Sequence, residues 1–141
     1  MWLLACGAVL VWAAALIHID VRDRRLPNAL TVPGAVTILA AAAVCGRSGP
    51  SLAGAAVLAG IYLAVHLVAP HAMGAGDVKL ALALGALTGA FGSAVWALAA
   101  LGAPLLTAIT GTVSVVRGRG TTVPHGPAMC VASLAAAALA W

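Results

Sequence analysis

Carboxylates are rare in this 141-residue chain, which has three acidic residues, all of them aspartates. Asp20 closes the apolar run at the start of the chain, and Asp77 opens another in the segment MGAGDVKLALALG, residues 73 to 85. Two carboxyl groups in contact cannot both ionise cheaply, so they share a proton. One can then act as general base on a water while the other donates a proton to a carbonyl oxygen. This is aspartyl-protease chemistry, and it needs no metal or cofactor.

Aspartates at helix ends also have structural roles: they lie in the membrane interface, cap a helix N-terminus or pair with arginines. Asp23, inside the segment RDRR, fits this interpretation as a solvated charge or an arginine partner. The structural interpretation is weaker for Asp20, which lies nearer the hydrocarbon, and for Asp77, which follows two glycines. Ionisable groups in membrane segments are functional hypotheses by default.

The composition indicates a membrane protein, since 64% of the residues are hydrophobic and only 7% are charged. Soluble domains carry about 25% charged residues. A chain this apolar has too little polar surface to cover a water-soluble domain, and a membrane-embedded helical bundle is the expected class. Nucleic-acid binding is not expected, because the net charge of +4 comes from only seven basic residues and aromatics are sparse.

Charged or Gly/Pro-rich segments divide the chain into apolar runs. The stretch from Leu80 to Val116 has no charge; as one helix it would be about 55 Å long, far beyond a hydrocarbon core of about 30 Å. We therefore expect two helices there, with a tight turn at residues 89–93. The predicted runs are residues 2–19, 29–46, 51–69, 78–91, 94–116 and 122–141. The prediction is an all-α, polytopic membrane protein with about six transmembrane helices in a single domain, residues 1–141.

The basic residues predict the orientation of these helices. With the N-terminus outside, cytoplasmic loops hold six of the seven basic residues and outside loops hold only Arg47. The six are Arg22, Arg24, Arg25, Lys79, Arg117 and Arg119. This orientation places both termini outside and all three aspartates at the cytoplasmic face. If the first and fourth helices are neighbours, the side chains of Asp20 and Asp77 can meet there. The first run has no basic residues before it, so it is predicted to be a retained transmembrane helix, not a secretory signal.

No metal site or cofactor is expected. The three cysteines, Cys6, Cys45 and Cys130, are isolated in apolar runs and are expected to pack as small hydrophobic residues. The histidines are also scattered, and His66 and His71 are wrongly spaced for two ligands on one helical face.

Several residues near the aspartates are predicted to shape the site. Gly74 and Gly76 leave room for a peptide backbone to approach Asp77 and permit conformations that other residues avoid. Lys79 either tunes the electrostatics of the site or extends its ammonium group to the lipid headgroups, and we favour the second role.

Two proline-containing segments are also assigned to the site. Pro27 and Asn28 are expected to break the chain after the basic loop, residues 22–26, and start the second helix, with Asn28 as a possible N-cap. Residues 123–127 are not expected to be regular helix, and they include Pro124, Gly126 and Pro127. Their backbone groups need partners at the membrane edge, which a helix start or an extended substrate could supply.

Three motifs together resemble the type IV prepilin leader peptidases. DVRDRRLPNALT, residues 20 to 31, resembles their first aspartate motif, an Asp followed seven residues later by Pro. GAGDVKL, residues 74 to 80, resembles their GxGD motif with its following Lys. VPHGPAM, residues 123 to 129, is similar to the Pro-rich segment at the start of their last helix. The motifs occur in the order and spacing of the family and cover nearly the whole chain.

The resemblance implies an aspartyl peptidase of the cytoplasmic membrane, with Asp20 and Asp77 as the catalytic pair. Such an enzyme cuts a short basic leader from prepilin-like proteins at the cytoplasmic face, so its partners would be a precursor with a basic leader and an apolar helix, and the lipid bilayer. Longer members carry a cytoplasmic domain with paired cysteines, associated with methylating the new N-terminal amine. This chain begins with its first helix and resembles the short, peptidase-only form that serves tight-adherence pili.

Two other classes of function remain open at this point. A small proton-coupled transporter could use Asp20 and Asp77 as proton carriers, although transporters place such groups near the bilayer midplane. A non-catalytic assembly subunit could pack through its many Gly and Ala residues. The second alternative leaves the surroundings of Asp77 unexplained.

Overall fold

The computed structural model describes residues 2–71, 73–118, 120 and 123–140, with only the backbone described for residues 2 and 3. Over these residues the chain forms six α-helices and no strand. The helices are α1 (Trp2–Asp23), α2 (Asn28–Val44), α3 (Ser48–Val68), α4 (Ala75–Phe91), α5 (Ser93–Val116) and α6 (Gly126–Ala138). The predicted all-α class is confirmed, and each predicted apolar run corresponds to one helix.

The long uncharged stretch is divided where the sequence predicts a turn. α4 ends at Phe91 and α5 begins at Ser93, and Gly92 between them has a φ of 117°. Few residues other than glycine adopt this backbone conformation. Because a single residue separates the two helices, they form the expected hairpin.

Several helix boundaries differ from the prediction: α3 and α4 each begin three residues earlier than the predicted runs, and two further differences lie near the aspartates. α1 does not end at Asp20 but continues to Asp23, because Arg22 in its last turn suits the negative end of the helix dipole. The helix stops where Arg24 adopts a φ of 51°. α6 begins at Gly126 with Pro127 in its first turn, so within residues 123–127 only the first three are non-helical. Proline is tolerated there because first-turn N–H groups have no intrahelical acceptor.

α4 is the central helix of the bundle and packs against α2, α3, α5 and α6. Its contact with α3 is close because glycines face each other at Gly54, Gly85 and Gly89. The spacing of Gly85 and Gly89 is the small-xxx-small pattern that lets helix backbones approach in membranes. The hydroxyl of Ser51 donates a hydrogen bond of 2.9 Å to the Ala86 carbonyl across the same contact.

Replacing Gly85 by alanine should destabilise the bundle. A Cβ at this position would lie 2.5 Å from the Gly54 carbonyl oxygen, so the two backbones would have to separate, at a cost of about 1–3 kcal/mol. Gly60→Ala, also within a helix, is the control, because its Cβ would meet no atom within 4 Å. Unfolding of both variants in detergent should show a loss for Gly85→Ala alone; equal stability would contradict this packing.

The outer surface of the bundle is apolar. α1 from Leu4, α3 and α5 are long and apolar enough to cross a membrane, whereas α2, α4 and α6 are shorter. Large hydrophobic side chains such as Leu67, Leu101 and Leu105 are mostly exposed on it. A continuous exposed apolar surface of this kind suits contact with lipid. The number of helices that span the bilayer, and the orientation of the termini, stay predictions.

Candidate active site

Asp20 lies in the last turns of α1, where its side chain is held against the start of α6. It is 7% exposed, and the backbone N–H of Gly126 points to its carboxyl group. A Cβ on Gly126 would lie 2.5 Å from Oδ2 of Asp20, so only glycine leaves room for the carboxyl group there. Among the described residues, this buried Oδ2 has no hydrogen-bond partner. A buried carboxyl oxygen without a partner is costly and indicates a functional position.

Asp77 is the third residue of α4, one turn from the N-terminus. The backbone N–H of Gly74, which precedes the helix, is directed at the Asp77 carboxyl group. This is half of a capping box, in which a third-position carboxylate binds the backbone N–H of the N-cap residue. The helix dipole adds to the attraction for a negative charge at this end. The local sequence GAGD therefore fixes the position of the Asp77 side chain.

The fold brings the two carboxyl groups into electrostatic contact, although they lie far apart in the sequence. α1 and α4 are not neighbouring helices: within the described residues no Cα atom of one lies within 8 Å of the other. Both helices pack instead against α6 and α2. Because Gly126 at the start of α6 contacts the Asp20 carboxyl group, this helix positions one member of the pair.

Of the two roles predicted for the glycines before Asp77, one is wrong and the other stays a prediction. Neither has a positive φ, so unusual backbone conformation is not the reason for glycine. At Gly76 a Cβ would lie 3.1 Å from the Cβ of Leu26, which shows that this glycine accommodates the basic loop. Gly74 is exposed, and room there for a substrate backbone stays a prediction.

Lys79 and Asn28 connect the basic loop to α4. The Lys79 ammonium group donates a hydrogen bond of 2.7 Å to Oδ1 of Asn28; the favoured role of Lys79 at the headgroups stays a prediction. Asn28 is the first residue of α2 and Pro27 is its N-cap, with no side-chain cap bond, so the prediction of Asn28 as N-cap is wrong. The Asn28 amide instead accepts the bond from Lys79, two residues after Asp77.

Asp23 does not join the carboxyl pair. It is exposed at the end of α1 and lines an open groove of about 480 Å³ together with residues of the basic loop. Arg25, Leu26 and Pro27 lie along the same groove. Arg119, which the topology argument used, lies outside the described residues.

Four side chains near the pair were missed from the sequence. The charge of Asp77 acts on the Tyr62 hydroxyl, and the charge of Asp20 acts on the thiol of Cys130. His125 bonds to both Tyr62 and Thr107. His125 lies in the motif VPHGPAM, which was the one available signal; the others are ordinary residues of apolar helices.

An apolar groove lies between α3 and α5 and includes two of these side chains. It has a volume of about 470 Å³, and Tyr62, Met73 and His125 line it with apolar side chains of the two helices. The ring nitrogen Nδ1 of His66 donates a hydrogen bond of 2.8 Å to the Met73 carbonyl and holds the segment that leads into Gly74. Among the described residues, no group of three His, Cys, Asp or Glu side chains could hold a metal ion.

The fold and the site define a class: a multi-pass helical membrane protein with one buried and one half-buried carboxyl group at one end of its bundle. A comparison with known protein families places it further. The sequence model of the type IV leader peptidase family matches residues 7–116, and the chain belongs to this family of proteases. The match includes Asp20, Asp77 and Lys79 but ends before α6. No curated protein and no solved structure matched the chain in the corresponding searches.

Proposed function

We propose that the chain is an aspartyl endopeptidase that removes the leader peptide of prepilin-like precursors at the cytoplasmic face of the cell membrane. Asp20 and Asp77 are its catalytic pair. The observation that carries the proposal is their meeting at one end of the bundle, with Asp20 buried beside a helix start and one of its oxygens without a partner. The family match supports peptide cleavage as the reaction.

The pair would work as one unit with a single proton between its members. The ionised carboxylate takes a proton from a water as the water oxygen attacks the scissile carbonyl. The protonated carboxyl group gives its proton to the carbonyl oxygen, forming a neutral gem-diol. As the C–N bond breaks, the carboxyl group that took the water proton delivers it to the leaving amine. A hydroxyl proton returns to the other carboxylate, which restores the starting state.

The position of the pair suits a substrate that lies partly in the membrane. A precursor with a basic leader and an apolar helix would place its helix in lipid beside the apolar surface of the bundle. Its scissile bond would then lie at the membrane edge, within reach of both carboxyl groups. Six of the seven basic residues are assigned to this side by the positive-inside rule. Substrates of the tight-adherence pilus type are the favoured precursors.

One domain is enough for this reaction. The central position of α4, which packs against four other helices, supports a single peptidase unit over residues 1–141. We assign no methyl transfer to it, since its cysteines are unpaired and far apart in sequence.

The purified protein should cut a leader-bearing precursor once, between the basic segment and the apolar helix. Mass spectrometry of the product identifies the bond, and the rate should be unchanged by a strong chelator, since carboxyl groups supply both proton transfers. Activity that is lost on chelation and recovered with zinc would contradict the carboxyl-pair mechanism. A proton flux across liposomes containing the protein, with no cleavage, would favour the transporter.

A further inference from the structure

Three polar side chains form a hydrogen-bonded chain beside the carboxyl pair. The Tyr62 hydroxyl oxygen lies 2.9 Å from Nε2 of His125, and Oγ1 of Thr107 lies 2.6 Å from Nδ1 of the same ring. Tyr62 belongs to α3 and Thr107 to α5, and His125 immediately precedes α6. In an apolar bundle these groups would be costly unless they bonded to one another. The chain therefore fixes three parts of the fold together.

The direction of each bond follows from the available acceptors. Among the described residues, the Tyr62 hydroxyl has one acceptor within hydrogen-bond distance, Nε2 of His125, so it donates there. The neutral ring then carries its proton on Nδ1 and donates it to Thr107. The Thr107 hydroxyl is free to donate its own proton to the Ala103 carbonyl, 3.0 Å away. Every donor in the chain is satisfied in this arrangement.

The protonation state of His125 agrees with this arrangement. Burial lowers the pKa of His125, because the charged ring loses contact with water. The ring is therefore neutral at pH 7 and has one donor and one acceptor. Both are used, Nδ1 towards Thr107 and Nε2 towards Tyr62.

The next residue after His125 is Gly126, whose N–H faces Asp20 and whose lack of a Cβ leaves room for that carboxyl group. Any rotation or displacement of the His125 backbone would move this N–H. The neighbouring segment is not otherwise helical, since α6 begins only at Gly126. The side chain of His125 is thus the anchor that holds the start of α6 in place.

We propose that His125 is a positioning residue, held by Thr107 and Tyr62, which keeps the Gly126 N–H on the Asp20 carboxyl group. This inference rests on the proposed peptidase function and adds to it a residue outside the carboxyl pair. Thr107 acts only through His125, whereas Tyr62 acts through His125 and is also within range of the Asp77 charge. Their loss should therefore reduce the rate of the chemical step and leave substrate binding nearly unchanged.

The test measures kcat and KM for precursor cleavage in five variants. Thr107→Val removes one hydrogen bond of the chain, Tyr62→Phe removes the donor to Nε2, and His125→Phe removes both bonds of the ring. Each should lower kcat about tenfold, equivalent to one lost hydrogen bond of about 1.4 kcal/mol, with KM within about twofold. Thr107→Ser keeps the hydroxyl and should restore kcat. Thr110→Val is the matched control, because the Thr110 hydroxyl bonds only to carbonyls of its own helix.

A chain that acts as one unit also predicts non-additivity. The double variant Thr107→Val/Tyr62→Phe should be little slower than either single variant. Losses that multiply, losses confined to KM, or an equal loss in Thr107→Ser would each overturn the proposal. If His125→Phe fails to accumulate in membranes, the comparison of Thr107→Val with Thr107→Ser decides the outcome.

A second readout does not depend on activity. In ¹⁵N NMR spectra of the labelled protein, the His125 signals, assigned by their loss in His125→Phe, should show a proton on Nδ1 and none on Nε2. The opposite tautomer would overturn the proposal. Failure of the proposed function is distinguishable, because wild-type protein would then cut no precursor while the tautomer stayed as expected.

Discussion

Gly126→Ala should reduce precursor cleavage by about 100-fold, the scale of loss expected when a catalytic group is displaced by about 1 Å. The added Cβ would lie 2.5 Å from Oδ2 and 3.1 Å from Cγ of Asp20. The Asp20 side chain is short and buried, so it must rotate away or α6 must move. Either change separates the Asp20 carboxyl group from the Gly126 N–H and from Asp77.

Gly111→Ala provides the control for this variant. It makes the same change inside α5, where the new Cβ would meet only Val123 at an ordinary 3.9 Å. Both proteins should be compared for membrane accumulation and thermal unfolding before rates are measured. A Gly126→Ala protein that cleaves within about threefold of wild type would show that α6 does not position Asp20.

Asp20→Asn and Asp77→Asn should each reduce cleavage by about a thousandfold or more. The amide keeps the size of the side chain but removes the proton that must move between acid and base, and such transfers contribute typically 10²–10⁴-fold each. Asp23→Asn should keep most activity, because Asp23 is exposed and apart from the pair; exposed ion pairs contribute only about 0–1 kcal/mol.

These aspartate variants are matched in chemistry and differ only in position, so Asp23→Asn is the internal control for the others. An inactive Asp23→Asn beside an active Asp20→Asn would mean that the wrong carboxyl group of α1 was assigned. Full activity in all three variants would mean that the carboxyl groups have structural roles and that the protein is not an aspartyl peptidase.

The six helices could be predicted from the sequence because they depend on local features. The uncharged stretch from Leu80 to Val116 is too long for a single span, and Gly92 supplies the conformation that a one-residue turn needs. The two aspartates could also be singled out, since few charged groups occur in so apolar a chain. The GAGD segment even contains the local reason for its geometry, a third-position carboxylate bonded to the N-cap backbone.

What the sequence did not predict depends on packing between distant helices. The side chains of Asp20 and Asp77 were expected to meet through neighbouring first and fourth helices, whereas these two helices do not touch and both pack against α6 and α2. The hydrogen bond between Lys79 and the Asn28 amide was not predicted, because Asn28 is on another helix. His125 looked like one of several scattered histidines until its two ring nitrogens were seen to bond to α3 and α5.

The measurement that tests the central claim most directly is the cleavage rate of Asp20→Asn/Asp77→Asn compared with the two single variants in one assay. The account predicts that the double variant is no more than about threefold slower than either single variant, since groups that act as one unit are strongly non-additive. Two large losses that multiply in the double variant would show that Asp20 and Asp77 act independently, and would contradict a shared-proton pair.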